Sequence, residues 1–208
     1  IAQLNATNAQ IAKSQEAYNE GVKRFQAQNY KGAITKFSES IKADPKFTAA
    51  YYNKGIAENE AKLYESAAKT LTTLLEKDPA YTKAYFQRAR SYQGMQNFLK
   101  AEKDYKKAIA DDPKNPKAYY NFGTLKFMQK DYNGAIQQFN KTISIDADFA
   151  YAYNDRGSCY RMMEQYDKAI QDYEQAAKKN PKLALALNNI GSTYKKMKQY
   201  KQAMEAYN

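Results

Sequence analysis

Alanine returns at a fixed interval along almost the whole chain: Ala33, Ala67, Ala101, Ala135, Ala169 and Ala203 stand 34 residues apart. A second set of small residues keeps step with it at Gly21, Gly55, Ala89, Gly123, Gly157 and Gly191. Self-similarity at this period marks a repeat array, in which each unit is a small supersecondary element that buries its apolar face only by stacking on its neighbours. One globular core is excluded, and the folding units are counted by period rather than by length. Taking Ser14 as the first position, the units span 14–47, 48–81, 82–115, 116–149 and 150–183, with a partial unit at 184–208.

Each unit reads as two amphipathic helices joined by a short turn and closed by a second turn. The closing position holds Pro45, Pro79, Pro113, Ala147 and Pro181. Four of these follow Asp44, Asp78, Asp112 and Asn180, and such a dipeptide stops a helix because proline lacks an N–H and restricts its predecessor. Ala147 breaks the pattern, and its turn is expected to persist. Large residues occupy three more phases: Tyr51, Tyr85, Tyr119 and Tyr153; Tyr30, Tyr64, Phe98, Tyr132, Tyr166 and Tyr200; and Phe37, Leu71, Tyr105, Phe139, Tyr173 and Tyr207. A mid-helix glycine costs about 1 kcal/mol relative to alanine, so its recurrence needs a packing reason. Close approach of the two helix backbones, with aromatic rings filling the gaps, is the predicted one.

With a large residue, a glycine, an aromatic, an alanine, a second aromatic and a proline at these phases, the chain resembles the tetratricopeptide repeat (TPR) family from Ser14 to Asn208. The resemblance implies an all-α, right-handed superhelical α-solenoid of helix-turn-helix repeats, with first helices lining a concave groove and second helices forming the convex side. Tyrosine replaces the family's first-helix tryptophan, and Arg24, Glu58 and Lys126 sit where a buried aromatic is preferred. Phe25 and Phe127 follow one position later, which predicts locally rotated packing. Residues 1–13 leave the period; Ile1, Leu4 and Ile11 share one face of a predicted N-terminal helical cap or extension of the first helix.

Catalytic chemistry finds no footing. Histidine is absent, which removes the commonest general base and metal ligand. The eight glycines follow the repeat and build no phosphate-binding loop. Asp111 and Asp112 adjoin a helix end and a proline, as solvated turn residues do. Cys159, the only cysteine, precludes an intrachain disulfide, and its small-residue position predicts a buried structural thiol. No catalytic residue, metal site or cofactor is predicted. No apolar stretch approaches the roughly 20 residues of a membrane span. Since the chain opens at Ile1 and stops inside a repeat, a leader or further domains trimmed away leave the compartment open between cytoplasm and a bacterial periplasm or envelope.

By phase, the implied groove carries an amide series, Asn19, Asn53, Gln87, Asn121, Asp155 and Asn189. Amides both donate and accept, so such a ladder suits the backbone of an extended peptide, as in some family members; equally, asparagine is simply tolerated on a solvated face. The neighbouring phase holds Tyr18, Tyr52, Phe86 and Tyr120, then Asn154 and Asn188. Rings of this kind serve either as contact residues or as packing against the next repeat. Thirty-three basic against 22 acidic residues leave a net charge of +11. The groove basics, Lys83, Arg90, Lys117, Arg161, Lys195 and Lys196, all fall in the third to sixth units and are opposed only by Glu60 and Asp155. These residues predict a non-enzymatic scaffold that binds an extended or helical, acidic protein segment. Of the places the family's terminal-carboxylate clamps use, only Asn53 and Lys83 match, which argues against that mode. The alternatives are end-to-end self-assembly through Met204 and Tyr207, or a targeting arm of a larger protein. Nucleic acid is disfavoured because basic residues alternate with acids.

Overall fold

The computed structural model describes residues 2–207, with side chains from 7 to 206. Ile1 and the side chains of Leu4 and Tyr207, invoked above for the two ends, lie outside the described residues. Within them the chain is twelve α-helices and no strand: α1 (Ala2–Gln26), α2 (Tyr30–Ala43), α3 (Thr48–Glu60), α4 (Tyr64–Lys77), α5 (Lys83–Gly94), α6 (Phe98–Asp111), α7 (Pro116–Met128), α8 (Tyr132–Ile145), α9 (Ala150–Met162), α10 (Tyr166–Lys179), α11 (Ala184–Lys196) and α12 (Tyr200–Tyr207). Odd-numbered elements are the first helices of the repeats and even-numbered ones the second. The chain divides into two compact units, 1–111 and 112–208. Residues 2–13 are continuous with the first helix of the first repeat, and Ile11 is 48% exposed, so its side chain covers little apolar surface.

Both turns of the repeat have a physical cause that recurs. Between first and second helices Gln28, Lys62, Gln96, Lys130, Glu164 and Lys198 all adopt φ of 57–62°, the left-handed region. The residue after each donates its N–H five residues back, as in Asn29 to Arg24, Leu63 to Glu58 and Asp131 to Lys126, which satisfies carbonyls that the ending helix would leave bare. The closing turn is tied by the side chain before the proline: Asp44, Asp78, Asp112, Asp146 and Asn180 each accept the N–H two residues on through Oδ1, at 2.9–3.3 Å. Asp146 makes this bond to Asp148 as its counterparts do, so the turn at Ala147 survives without proline.

At Gly21, Gly55, Gly123 and Gly157 the small residue receives a side chain of the second helix. A β-carbon placed on Gly123 would lie 2.6 Å from Phe139 Cε1, and one on Gly55 the same distance from Leu71 Cγ. The glycine therefore makes room for the large residue of the second helix, rather than chiefly for its backbone as expected; at Gly157 the Ala169 carbonyl also approaches, to 3.0 Å. Phe25 and Phe127 pack on Tyr30 and Tyr132 at 5.4 and 5.5 Å between ring centroids, both at 59°, which accounts for Arg24 and Lys126 one position earlier. Glu58 is buried, accepting the Ser66 hydroxyl at 2.6 Å with Lys54 at 3.6 Å.

Two arginines clip three helices each. Arg88 on α5 makes a two-pronged ion pair with Asp104 on α6 and donates to Thr72 on α4; Arg156 on α9 does the same with Asp172 on α10 and Asn140 on α8. These largely desolvated forks fix the stacking of successive hairpins within each unit.

Candidate functional site

Residues one period apart fall on the same face of successive first helices, and their side chains meet there. In unit 1–111 the Asn53 amide donates to the Tyr18 hydroxyl at 2.6 Å, across 35 residues of sequence. Tyr52 repeats the relation with Gln87, whose hydrogen bond opposes the rise that burial imposes on the phenol's pKa. Arg90 then spans Gln87 Oε1 at 3.1 Å and Glu60 Oε1 at 3.0 Å, while Asn59 and Ser91 close a buried network around the Gln87 carbonyl. The rings of Tyr18, Tyr52 and Phe86 pack on Phe47, Tyr81 and Tyr105. Asn19 is exposed on the rim of a broad charged cleft between α1 and α2, and Lys83 is exposed at the start of α5. Gln87 is only 8% exposed. Here the ladder imagined as open to a peptide is largely occupied by side-chain bonds between neighbouring helices.

In unit 112–208 the same phases are wired differently. Tyr120 donates to Asp155 Oδ2 at 2.7 Å, Asn154 donates to Asp155 Oδ1 at 2.9 Å, and Asn154 Oδ1 in turn accepts from Asn189 at 2.9 Å. Burial and the adjoining carboxylate hold the Tyr120 phenol far above its usual range, and burial raises Asp155 despite the two donors. Asn154 is 2% exposed, so its predicted role as a ligand contact gives way to packing: it is the link between Asp155 and Asn189. Asn121 turns back to the Lys117 carbonyl at 2.8 Å. Arg161 donates to Ser192 at 3.3 Å, and its Nε is buried with no acceptor. Lys117, Asn188, Lys195 and Lys196 are exposed. Beside Asp155 lies a pocket of about 180 Å³ lined by Thr124, Phe127, Phe139, Asp155 and Ser158.

Helical hairpins of this kind, with this turn chemistry, have a known relative. Models of the tetratricopeptide repeat match residues 12–82, 82–115, 104–137, 150–183 and 184–208. The chain belongs to the tetratricopeptide repeat family. Its fold is similar to that of PilW, described as a widely conserved type IV pilus biogenesis factor (TM-score 0.84, 18% identity, 93% of this chain and 90% of that one). It is also similar to MamA (0.69, 24%, 83% and 94%) and to YrrB, described as a TPR protein with an unusual peptide-binding site (0.63, 20%, 82% and 88%). No curated protein sequence is significantly similar to it. At these identities the likeness is one of fold.

Among TPR positions, Cys159 occupies a phase that holds the buried Ala57, Ser91, Leu125 and Thr193 in four other units and the exposed Lys23 in the first. Burial pushes its thiol up to about 12, so it is a packing group. Among the described residues no cluster of three or more His, Cys, Asp or Glu is arranged to hold a metal, and no helix is long and apolar enough to cross a membrane. Thr124, Phe127 and Ser158 were missing from the sequence-derived site. Thr124 and Ser158 share the phase of Arg90, which was the available signal.

Proposed function

We propose that this TPR protein is a non-catalytic scaffold whose first-helix faces bind an extended or helical segment of a protein partner, and that the segment is acidic. The observation that carries the reading is the set of exposed cations on those helices. Lys83, Lys117 and Lys195 are exposed and form no ion pair among the described residues, whereas Arg90 is already matched by Glu60. Unmatched lysines at the ends of a helical face attract carboxylates with a strength that salt screens. The proposed ligand contacts are, in unit 1–111, Asn19 and Lys83 with Tyr18, Tyr52, Asn53, Phe86 and Arg90 half-exposed, and, in unit 112–208, Lys117, Asn188 and Lys195 with Tyr120, Asn121, Arg161 and Asn189 half-exposed.

Charge reversal tests this. Lys117→Glu with Lys195→Glu should abolish retention of the partner that wild type holds at low salt, while Lys103→Glu with Lys141→Glu, on the second helices α6 and α8, should leave it intact. Equal retention by both pairs removes the first-helix assignment. A second reading has one specific observation behind it: Leu185, Leu187 and Met204 on the last hairpin are 45–68% exposed, a face suited to self-association. Light scattering of Leu187→Glu with Met204→Glu should then show a smaller mass than wild type at high concentration.

A further inference from the structure

We infer that the pocket bounded by Thr124, Phe127, Phe139, Asp155 and Ser158 is a recognition site for one primary ammonium group, the side chain of a lysine carried by the partner segment. The inference rests on the first-helix reading above and deepens it: within a mostly acidic segment, one lysine sets the register on α7 and α9.

The first argument is charge. Of the six residues at this phase, five are amides and only Asp155 is a carboxylate. An amide supports the inter-helix bond equally well, as Asn53 does with Tyr18. A carboxylate there incurs a desolvation that an amide avoids, and no lysine or arginine pairs with Asp155 among the described residues to offset it. The buried carboxylates that first helices carry or contact, Glu58, Asp104 and Asp172, each have a cation beside them, Lys54, Arg88 and Arg156. Asp155 is the one left without a cation.

The second argument is capacity and shape. A carboxylate has about four lone-pair sites, and Tyr120 and Asn154 use one on each oxygen, so acceptor capacity is left on both. Those two donors also hold the group in one orientation, which is the preorganisation a binding site requires. The cavity, about 180 Å³, is below the few hundred Å³ of a drug-sized site and matches a single long side chain. Phe127 and Phe139 supply apolar walls for a methylene stem, and Thr124 and Ser158, whose hydroxyls donate to the Asn121 and Asn154 carbonyls, complete the lining. Lysine suits this combination of apolar shaft and compact cationic tip; arginine's broad planar head does not. Thr124, Phe127, Asp155 and Ser158 are all partly exposed, so the pocket opens to solvent.

The test uses the full chain and n-butylammonium, a lysine side chain without its backbone, with n-butanol and butyrate as matched probes, read by two-dimensional NMR. Saturable shifts should appear at the amides of Thr124, Asp155 and Ser158 with a Kd on the order of 10 mM, the range open to so small a ligand. Butanol should bind at least about tenfold more weakly and butyrate not at all, as one lost charge contact requires. Asp155→Asn should weaken butylammonium about tenfold, and Ser158→Leu, which fills the cavity and keeps the carboxylate, should abolish binding. If Asp155→Asn loses its dispersed spectrum, the wild-type probe series and Ser158→Leu decide. No saturable shift in wild type, or equal binding of butanol and butylammonium, overturns the inference. Because no partner enters this experiment, its failure leaves the charge-reversal result untouched, and failure of charge reversal leaves the pocket standing.

Discussion

The two compact units of this TPR protein carry the same hairpins but treat polar groups on their first-helix faces in opposite ways. In 1–111 nearly every group finds a partner: Asn53 with Tyr18, Gln87 with Tyr52, Arg90 with Glu60 and Asn59 with Ser91 across neighbouring helices, and Gln87 with Arg90 along α5. The orphan there, Glu58 Oε2, belongs to a side chain bonded to Ser66 beside α4. In 112–208 the Asp155 carboxylate lacks a cation among the described residues, Arg161 Nε lacks an acceptor, and a pocket opens beside Asp155. Buried polar groups left unpaired cost free energy, so a fold that retains them on one face points to a ligand there. The closed face stabilises the stack; the open one is where recognition is expected.

Four perturbations break or sharpen this contrast. The largest effect should come from emptying the seat on the hairpin glycine: Phe139→Ala should cost about 3–5 kcal/mol and Leu71→Ala about 2–5 kcal/mol. Each should lower hydrogen-exchange protection within its own unit; loss in both units from either variant would show that they do not fold separately. Next, Asp104→Ala and Asp172→Ala should each cost about 3 kcal/mol in urea titrations, because an arginine is left desolvated. Equal costs would show that the clips are common to both units and that the contrast lies on the ligand face alone.

Smaller, and of opposite sign, Lys62→Gly and Lys130→Gly should each stabilise by about 0.5–1 kcal/mol, since glycine relieves the left-handed turn residue at some cost in chain entropy. The subtlest is an exchange at one phase: Asn53→Asp should lower the urea midpoint and Asp155→Asn should raise it. Burial raises the Asp155 pKa in the folded state, so the protonated form is favoured on folding and the charged form costs stability near neutral pH. The gain from Asp155→Asn should therefore be full at neutral pH and fade as pH falls from the raised folded value to the ordinary carboxylate value.

The architecture was legible from periodicity because the small residues, rings and turn-forming aspartates repeat faithfully, and each acts through a local cause. Ala147 shows why the reading held where the pattern broke: Asp146 ties the turn, and proline only assists. The glycine was read for the right reason, close approach, with the wrong guest, because a ring and a backbone leave the same trace in sequence. The first-helix face was legible as a face but not as a set of side-chain contacts. Whether an amide is free or meets a neighbouring side chain depends on the residue 35 positions away, a hydroxyl for Asn53 and a second amide for Asn189. Asp155 entered the sequence reading as one negative charge; its two donors and missing cation become visible only when α7 and α9 are placed side by side.

The most direct measurement of the central claim is hydrogen-exchange mass spectrometry of the protein alone and with the partner that Lys117→Glu with Lys195→Glu fails to retain. The account predicts added protection in α7, α9 and α11 of unit 112–208, with α8 and α10 unchanged. Protection confined to α8 and α10 would contradict it.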